Sequence, residues 1–281
     1  MVIRYNTDGS LDASFDGDGI ATTKVGLWPT AWSVAIQPDN KIIVGGFTWW
    51  GDGTFANDHF ALARYNPDGS LDTTFNGDGK VITRICDHTF CNDDLQSIAL
   101  QPDGKIIAVG GSFSLGSSPQ FIALRHGTDG SLDGNFHLGG SSAGAQTAGG
   151  YFTSATIQLD GKILLAGTGP LPLIRLNSNG SFDTTFDFDG TVSTGLDGSY
   201  VAIQSSNRII VAGSRNNGSN SDYKIIRFNS DGSLDTTFGG GDGESTVDFG
   251  GTNDYVWATA LDRFGRAVVV GRIWAGNTFP A

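Results

Sequence analysis

The chain of 281 residues is 38% hydrophobic and 16% charged, with 42 glycines, eight prolines and one methionine; this turn-rich composition excludes coiled coils and long helical bundles and leaves an all-β chain. Its net charge of -12 comes almost wholly from aspartate, Glu244 being the single glutamate among 29 acids, and that balance excludes nucleic acid and anionic membranes, which need a basic footprint. No run approaches the ~18 apolar residues of a membrane helix, so no membrane insertion is expected.

In chain order the first predicted element is the short strand around Val2-Ile-Arg-Tyr, which opens a phrase running from Arg4 through Asp12 to Phe15. The phrase returns at Arg64 to Phe75, Arg125 to Phe136, Arg175 to Phe186 and Arg227 to Phe238, always with aspartate eight residues after the arginine and phenylalanine three after that. A second phrase alternates with it: Gln37-Pro-Asp-Asn-Lys41, Gln101-Pro-Asp-Gly-Lys105, Gln158-Leu-Asp-Gly-Lys162, Gln204-Ser-Ser-Asn-Arg208 and a worn copy over Leu261 to Arg266. Repetition at this period is the signature of propellers and solenoids.

Each unit reads as four short antiparallel strands. The first, exemplified by Ser33-Val-Ala-Ile36, alternates small and bulky residues and suits the innermost position; the second follows the basic residue at 41, 105, 162, 208 or 266 and is apolar on both faces. The third carries the repeated arginine and the fourth is brief, as in Lys80-Val-Ile-Thr83. The stretch from Gly232 through the two ends to Gly9 amounts to one more repeat, so the expectation is a single five-bladed β-propeller over 1–281. Its blades fall at 32–84, 95–140, 152–193, 199–248, and 255–281 joined with 1–24, so that the N-terminal strands close the last blade.

The phrases RYNPDGSLDTTFNGDGKV and SIALQPDGKIIAVGG resemble the delta-60 repeat family of bacterial β-propellers and, more distantly, NHL-type blades. The likeness covers nearly the whole chain, departing at Phe136-His-Leu-Gly-Gly, where the outer strand of that unit is in doubt. It implies a propeller of secreted or surface proteins and no particular reaction. An extracellular or cell-surface, monomeric protein is therefore expected, although MVIRYN is not a signal peptide.

Residues present in every unit read as blade builders, so the sites are sought in what is not repeated. Tryptophans Trp28, Trp49, Trp50 and Trp274, with Tyr255, belong to the first or last blade and are the candidate aromatic platform for a glycan or protein ligand, while Trp32 and Trp257 read as core. At the channel mouth, seven residues before the repeated glutamine, the units carry Thr30, Asp94, Tyr151, Asp197 and Asp254. Asp94, Asp197 and Asp254 are the candidate cation ligands or, in the alternative reading of a hydrolase (a glycosidase or a metal-assisted lactonase), its carboxylates. Cys86-Asp-His88-Thr-Phe-Cys91 reads as a disulfide, with Cys86, His88 and Cys91 as a lesser zinc set. Turns such as Asp16-Gly-Asp18-Gly19 resemble part of a calcium loop without its closing glutamate, so no cofactor is expected beyond a candidate calcium ion. Non-enzymatic binding is the reading carried forward.

Overall fold

The computed structural model describes residues 1–50, 57–86, 91–114, 118–136, 138, 145–147, 149–168, 173–250 and 253–274, with the backbone alone at Trp50 and 145–147. Among them are twenty strands and no helix. Four antiparallel four-stranded units follow one another: β3 (Thr30–Ile36), β4 (Ile42–Trp50), β5 (Asn57–Tyr65) and β6 (Lys80–Thr83); β7 (Cys91–Leu100), β8 (Ile106–Ser114), β9 (Gln120–His126) and β10 (Ala145–Thr147); β11 (Phe152–Ile157), β12 (Ile163–Gly167), β13 (Leu173–Leu176) and β14 (Thr191–Val192); β15 (Asp197–Ile203), β16 (Ile209–Asn216), β17 (Ser221–Phe228) and β18 (Glu244–Val247). A single parallel bridge, Asp58 to Asn92, links the first two. The outer strand left in doubt after Phe136 is β10, which lies past the expected blade limit at 140 and pairs with Gln120–Ile122.

The repeated phrases build these units through local hydrogen bonding. In the first complete unit the Asp68 carboxylate accepts from the Ser70 N–H and hydroxyl, and the Gly69 N–H donates to the Asn66 carbonyl at a φ of 90°, which glycine adopts without strain. The arginine eight residues before each aspartate then joins one unit to the next. Its guanidinium pairs with that aspartate at 2.6–2.8 Å and lies over the phenylalanine ring 4.4–4.8 Å away. In four of the five copies a remaining N–H donates to a turn carbonyl of the following unit, those of Pro67, Thr128, Ser178 and Ser230. The basic residue before each second strand converges on the same carboxylate: Lys41 on Asp72, Lys162 on Asp183, Arg208 on Asp235. Burial pushes the Asp72 carboxyl up, but hydrogen bonds from Lys41 and Thr74 and the Arg64 charge outweigh it and hold the group well below the usual range. The apolar core lies between units, as where Ile107 and Val109 pack with Phe152, Ile163 and Leu165.

The fifth unit is split. Strands β1 (Val2–Ile3) and β2 (Ile20–Ala21) pair with each other and pack on the first complete unit, where Phe15 is fully buried and the Asp16 N–H donates to the Asp68 carbonyl. Strands β19 (Asn253–Leu261) and β20 (Ala267–Trp274) pair with each other and pack on the fourth, where the Val256 N–H donates to Ser214 Oγ and Gln204 Nε2 to the Gly265 carbonyl. Among the described residues β1 and β20 do not pair, so the expected sheet closure is not present. Val34 on β3 is consequently 61% exposed, whereas Ile98 and Val201 at the same repeat position are each 6% exposed.

Truncating Asp72 would leave Arg64 and Lys41 without their shared carboxylate in a buried joint. Asp72→Ala should cost about 3 kcal/mol in urea unfolding, in the range for a broken buried pair. Asp12→Ala, at the open end of the array with the Arg4–Asp12 side chains 30% and 22% exposed, should lower the midpoint far less.

Candidate functional site

The first strands of the five units, β3, β7, β11, β15 and β19, contribute to one cavity, and each is interrupted by a bulge at one repeat position. The register breaks between Ala31 and Ser33, Leu95 and Ser97, Phe152 and Ser154, Asp197 and Tyr200, and Val256 and Ala258. The extra residue is Trp32, Gln96, Thr153, the pair Gly198-Ser199, and Trp257. A bulge re-aims its side chain out of the ladder. Trp32, Gln96, Thr153, Gly198 and Trp257 all line one cavity of about 600 Å³, with Tyr151, Thr168, Asp197, Tyr200, Ser214, Tyr255 and Val256. The residue after each bulge binds the array: the Ser33, Ser97 and Ser154 hydroxyls accept from the Ile98, Ala155 and Val201 N–H of the next inner strand. Tyr200 and Ala258 replace serine in the last two units, and the Tyr200 ring joins the cavity wall.

Sequence reasoning placed Trp32 and Trp257 in the core; each is 58% exposed on this wall. The bulge is what turned them, and no residue type announces it. Among the described side chains of the expected platform, only Tyr255 lines the cavity. Trp28 is 70% and Trp49 43% exposed elsewhere; the Arg272 guanidinium covers a face of Trp274 at 4.1 Å; the Trp50 side chain lies outside the described residues.

The carboxylate trio does not converge. Asp197 lines the 600 Å³ cup, and Asp94 lines an adjoining cavity of about 310 Å³ that shares Gln96 and Tyr151 with it. Asp254 is fully buried away from both, its carboxylate accepting from the Phe249 N–H and lying with those of Asp222 and Asp248 so that one oxygen of each is within 4.8 Å of the others. The reason is register. The Asp262 N–H donates to the Arg266 carbonyl as Gln37 does to Lys41, so Asp262 and not Leu261 stands at the glutamine position, and seven residues back is Tyr255. A slip of one residue exchanges the two faces of a strand. The Asp222, Asp248 and Asp254 oxygens are a donor set of the kind that suits a hard cation such as calcium.

Asp94 is the most perturbed acid beside the cavities. Burial, then the charges of Asp58 and Asp93, push its carboxyl up to about 6. Burial also raises Asp58, and one oxygen of each, Asp58 Oδ1 and Asp94 Oδ1, is buried without a hydrogen-bond partner. Asp93, fully buried, is by contrast satisfied: it accepts from Ser112 Oγ at 2.6 Å and the Ile85 N–H at 2.9 Å and faces His59 Nδ1 at 3.4 Å. Cys86 and Cys91 are joined in a disulfide, which leaves neither sulfur as a thiolate for zinc, and His88 lies outside the described residues. The paired-acid turns spend their carboxylates on the backbone: Asp18, Asp78, Asp189 and Asp242 accept from the N–H groups of Ile20, Lys80, Thr191 and Glu244.

A family profile described as a domain of unknown function (DUF5122) beta-propeller matches residues 2–15, 37–75, 101–136, 158–186 and 204–238. No curated protein matches the chain. Among solved structures, a protein of unknown function from Dyadobacter fermentans is 11% identical with a TM-score of 0.52, over 85% of this chain and 74% of that one. A putative gluconolactonase is 14% identical with a TM-score of 0.41, over 88% and 90% of the two chains. A protein of unknown function from Bacteroides caccae is 13% identical with a TM-score of 0.41 over 73% of this chain, which spans 65% of that one. At such identities the likeness concerns the fold alone.

Because the Asp94 carboxyl is raised in the folded state, the folded protein holds a proton that the unfolded chain releases near 3.8. The stability tied to this proton is complete below about pH 4 and falls away as the pH rises through about 6. Asp94→Asn, permanently neutral, should be more stable than the parent by about 1–2 kcal/mol at pH 8, after allowance for screening of a partly exposed group. The gap should close by pH 4 in urea titrations.

Proposed function

Because the chain belongs to the DUF5122 β-propeller family, whose description names a fold and no activity, we propose its function from the site: a non-enzymatic binding propeller that holds a glycan in the cup at its channel mouth. The observation that carries this reading is the convergence of Trp32, Tyr151, Tyr200, Tyr255 and Trp257 on one cavity beside Thr153, Gln96 and Thr168. Flat aromatic faces cover the apolar faces of sugar rings at small entropic cost, while amide and hydroxyl groups answer the ring hydroxyls. The bulges fix these side chains on rigid strands, so little ordering is left to oppose binding. A hydrolase is the second reading. It rests on Asp94, whose carboxyl near 6 has the protonation of a general acid, but its partner would be Asp197 in the next cavity.

The same proposal takes the array as a five-bladed ring whose last blade is completed when β1 pairs with β20. Support comes from partners left unfilled on the two sides of the split. In the other units the repeated arginine stands opposite the second residue of the second strand, as Ile43 opposes Arg64 and Ile210 opposes Arg227; the same register sets Val268 against Arg4 and Val269 against Ile3. Asp12 lacks the basic partner that Lys41 gives Asp72, and Arg266, 74% exposed, falls back on Asp262. Gly130 and Gly232 sit against the Phe75 and Phe186 rings, whereas the space a side chain would take at Gly9 is open and Phe238 is half-buried. Val268 and Val270 on β20 are 52% and 56% exposed, and so is much of the facing strand β3.

Tryptophan fluorescence titrations with an oligosaccharide panel test the cup: Trp32→Ala and Trp257→Ala should each weaken binding by about tenfold or more, with Trp49→Ala unchanged, and equal binding by all three rejects the reading. Closure is tested by charge exchange. Arg266→Glu should lower the urea midpoint, and adding Asp12→Lys should restore it in a monomer; strictly additive losses reject closure, and restoration confined to a dimer places the pairing between two copies.

A further inference from the structure

We infer that the glycan taken into the cup carries free amino groups, one ammonium resting against Asp197 in the cup and another against Asp94 in the adjoining cavity. This rests on the glycan-binding reading above and deepens it by naming the class of sugar.

Charge decides first. The two cavities share Gln96 and Tyr151 in their walls, and we take one oligosaccharide to reach across both; among the described residues no lysine, arginine or histidine lines either. Each contributes one carboxylate, Asp197 to the larger and Asp94 to the smaller. An acidic sugar would enter against two like charges, in a protein of net charge -12, with no cation to receive it. A neutral sugar would satisfy the aromatic walls but leave the acids as they are.

The condition of Asp94 decides between neutral and basic. It stands beside Asp58 of β5 and Asp93 of its own strand, and the histidine in the group, His59, faces Asp93. Asp94 Oδ1 is sealed in the wall without a hydrogen-bond partner, and among the described residues no cation neutralises the carboxylate, whose other oxygen is left to meet a ligand in the cavity. Burial and those two neighbours raise its pKa, the signature of a carboxylate with no cation of its own. An ammonium brought by the ligand supplies that charge. The aromatic walls add to this, because a cation over the face of a Trp or Tyr ring is attracted by its quadrupole. Asp197, exposed at the cup, offers the second contact.

The test is calorimetric titration of the whole protein with three tetramers: glucosamine, its N-acetylated counterpart, and galacturonic acid. The glucosamine tetramer should bind about tenfold or more tightly than the acetylated one, the galacturonic acid tetramer least, and the preference should shrink with added salt. Asp197→Asn and Asp94→Asn, both isosteric, should each reduce the preference and together abolish it. Equal affinity for the amino and acetylated tetramers, or tightest binding of the acidic one, overturns the inference while the cup reading stands, provided Trp32→Ala weakens whichever tetramer binds. If no tetramer binds, or Trp32→Ala leaves binding unchanged, the cup reading falls and this inference with it. A lysine-rich peptide that outbinds every tetramer also overturns it, in favour of a protein ligand.

Discussion

The guanidinium of the repeated arginine is where the array is held together. In Arg64 its Nε side pairs with the aspartate eight residues on, its face covers the phenylalanine eleven residues on, one terminal N–H donates to Thr74 of the same turn and another reaches across to the next unit's turn. A charge buried between blades is tolerable only when every donor is answered, and here a carboxylate, a ring and a carbonyl answer it. The spacing of the phrase follows from that demand: the aspartate and phenylalanine must come back to the arginine on the far side of one hairpin turn. Since the acceptor belongs to the neighbouring unit, the same contact fixes how each unit sits on the last.

Units fixed in this way bring the starts of their inner strands to one mouth. There the sequence is free to vary, because the bulged residue leaves the ladder and no longer has to pack within its own blade. The chain uses that freedom unevenly. Trp32 and Trp257 stand on the first and last inner strands, with Gln96 and Thr153 between them. Where the serine that ties one inner strand to the next is replaced, as at Tyr200, the wall gains an aromatic ring and the latch passes to the Ser214 hydroxyl, which accepts from the Val256 N–H.

The split last unit is the open joint of the array. Serine latches tie the first complete unit to the second, the second to the third and the third to the fourth, and the Ser214 hydroxyl substitutes at the next joint. Trp32 and Trp257 lie on the two sides of the opening, so a ligand touching both is bound by strands remote in sequence. If the cup binds a ligand as proposed, whatever favours the approach of those strands favours that ligand, and the reverse holds by linkage.

The repeats, the four-strand units and the aspartate turns were legible in the sequence because each is written by residues close together: a turn glycine, an aspartate two before a serine, an arginine eight before its partner. The Cys86–Cys91 pairing was legible for the same reason. The sequence also marked the start of each inner strand as the place to look, and Asp94, Asp197 and Tyr255 do line cavities there. It misplaced Asp254, because in the worn fifth phrase Leu261 and Asp262 compete for the glutamine position and only the Asp262–Arg266 hydrogen bond decides. It hid Trp32 and Trp257 as core residues, since alternation along a strand holds only until a bulge shifts the parity, and a bulge is set by the neighbouring strand. Local chemistry thus determined the blades. Which side chains meet at the mouth was decided by tertiary register, because a shift of one residue against a neighbouring strand costs little locally and yet turns every side chain to the other face.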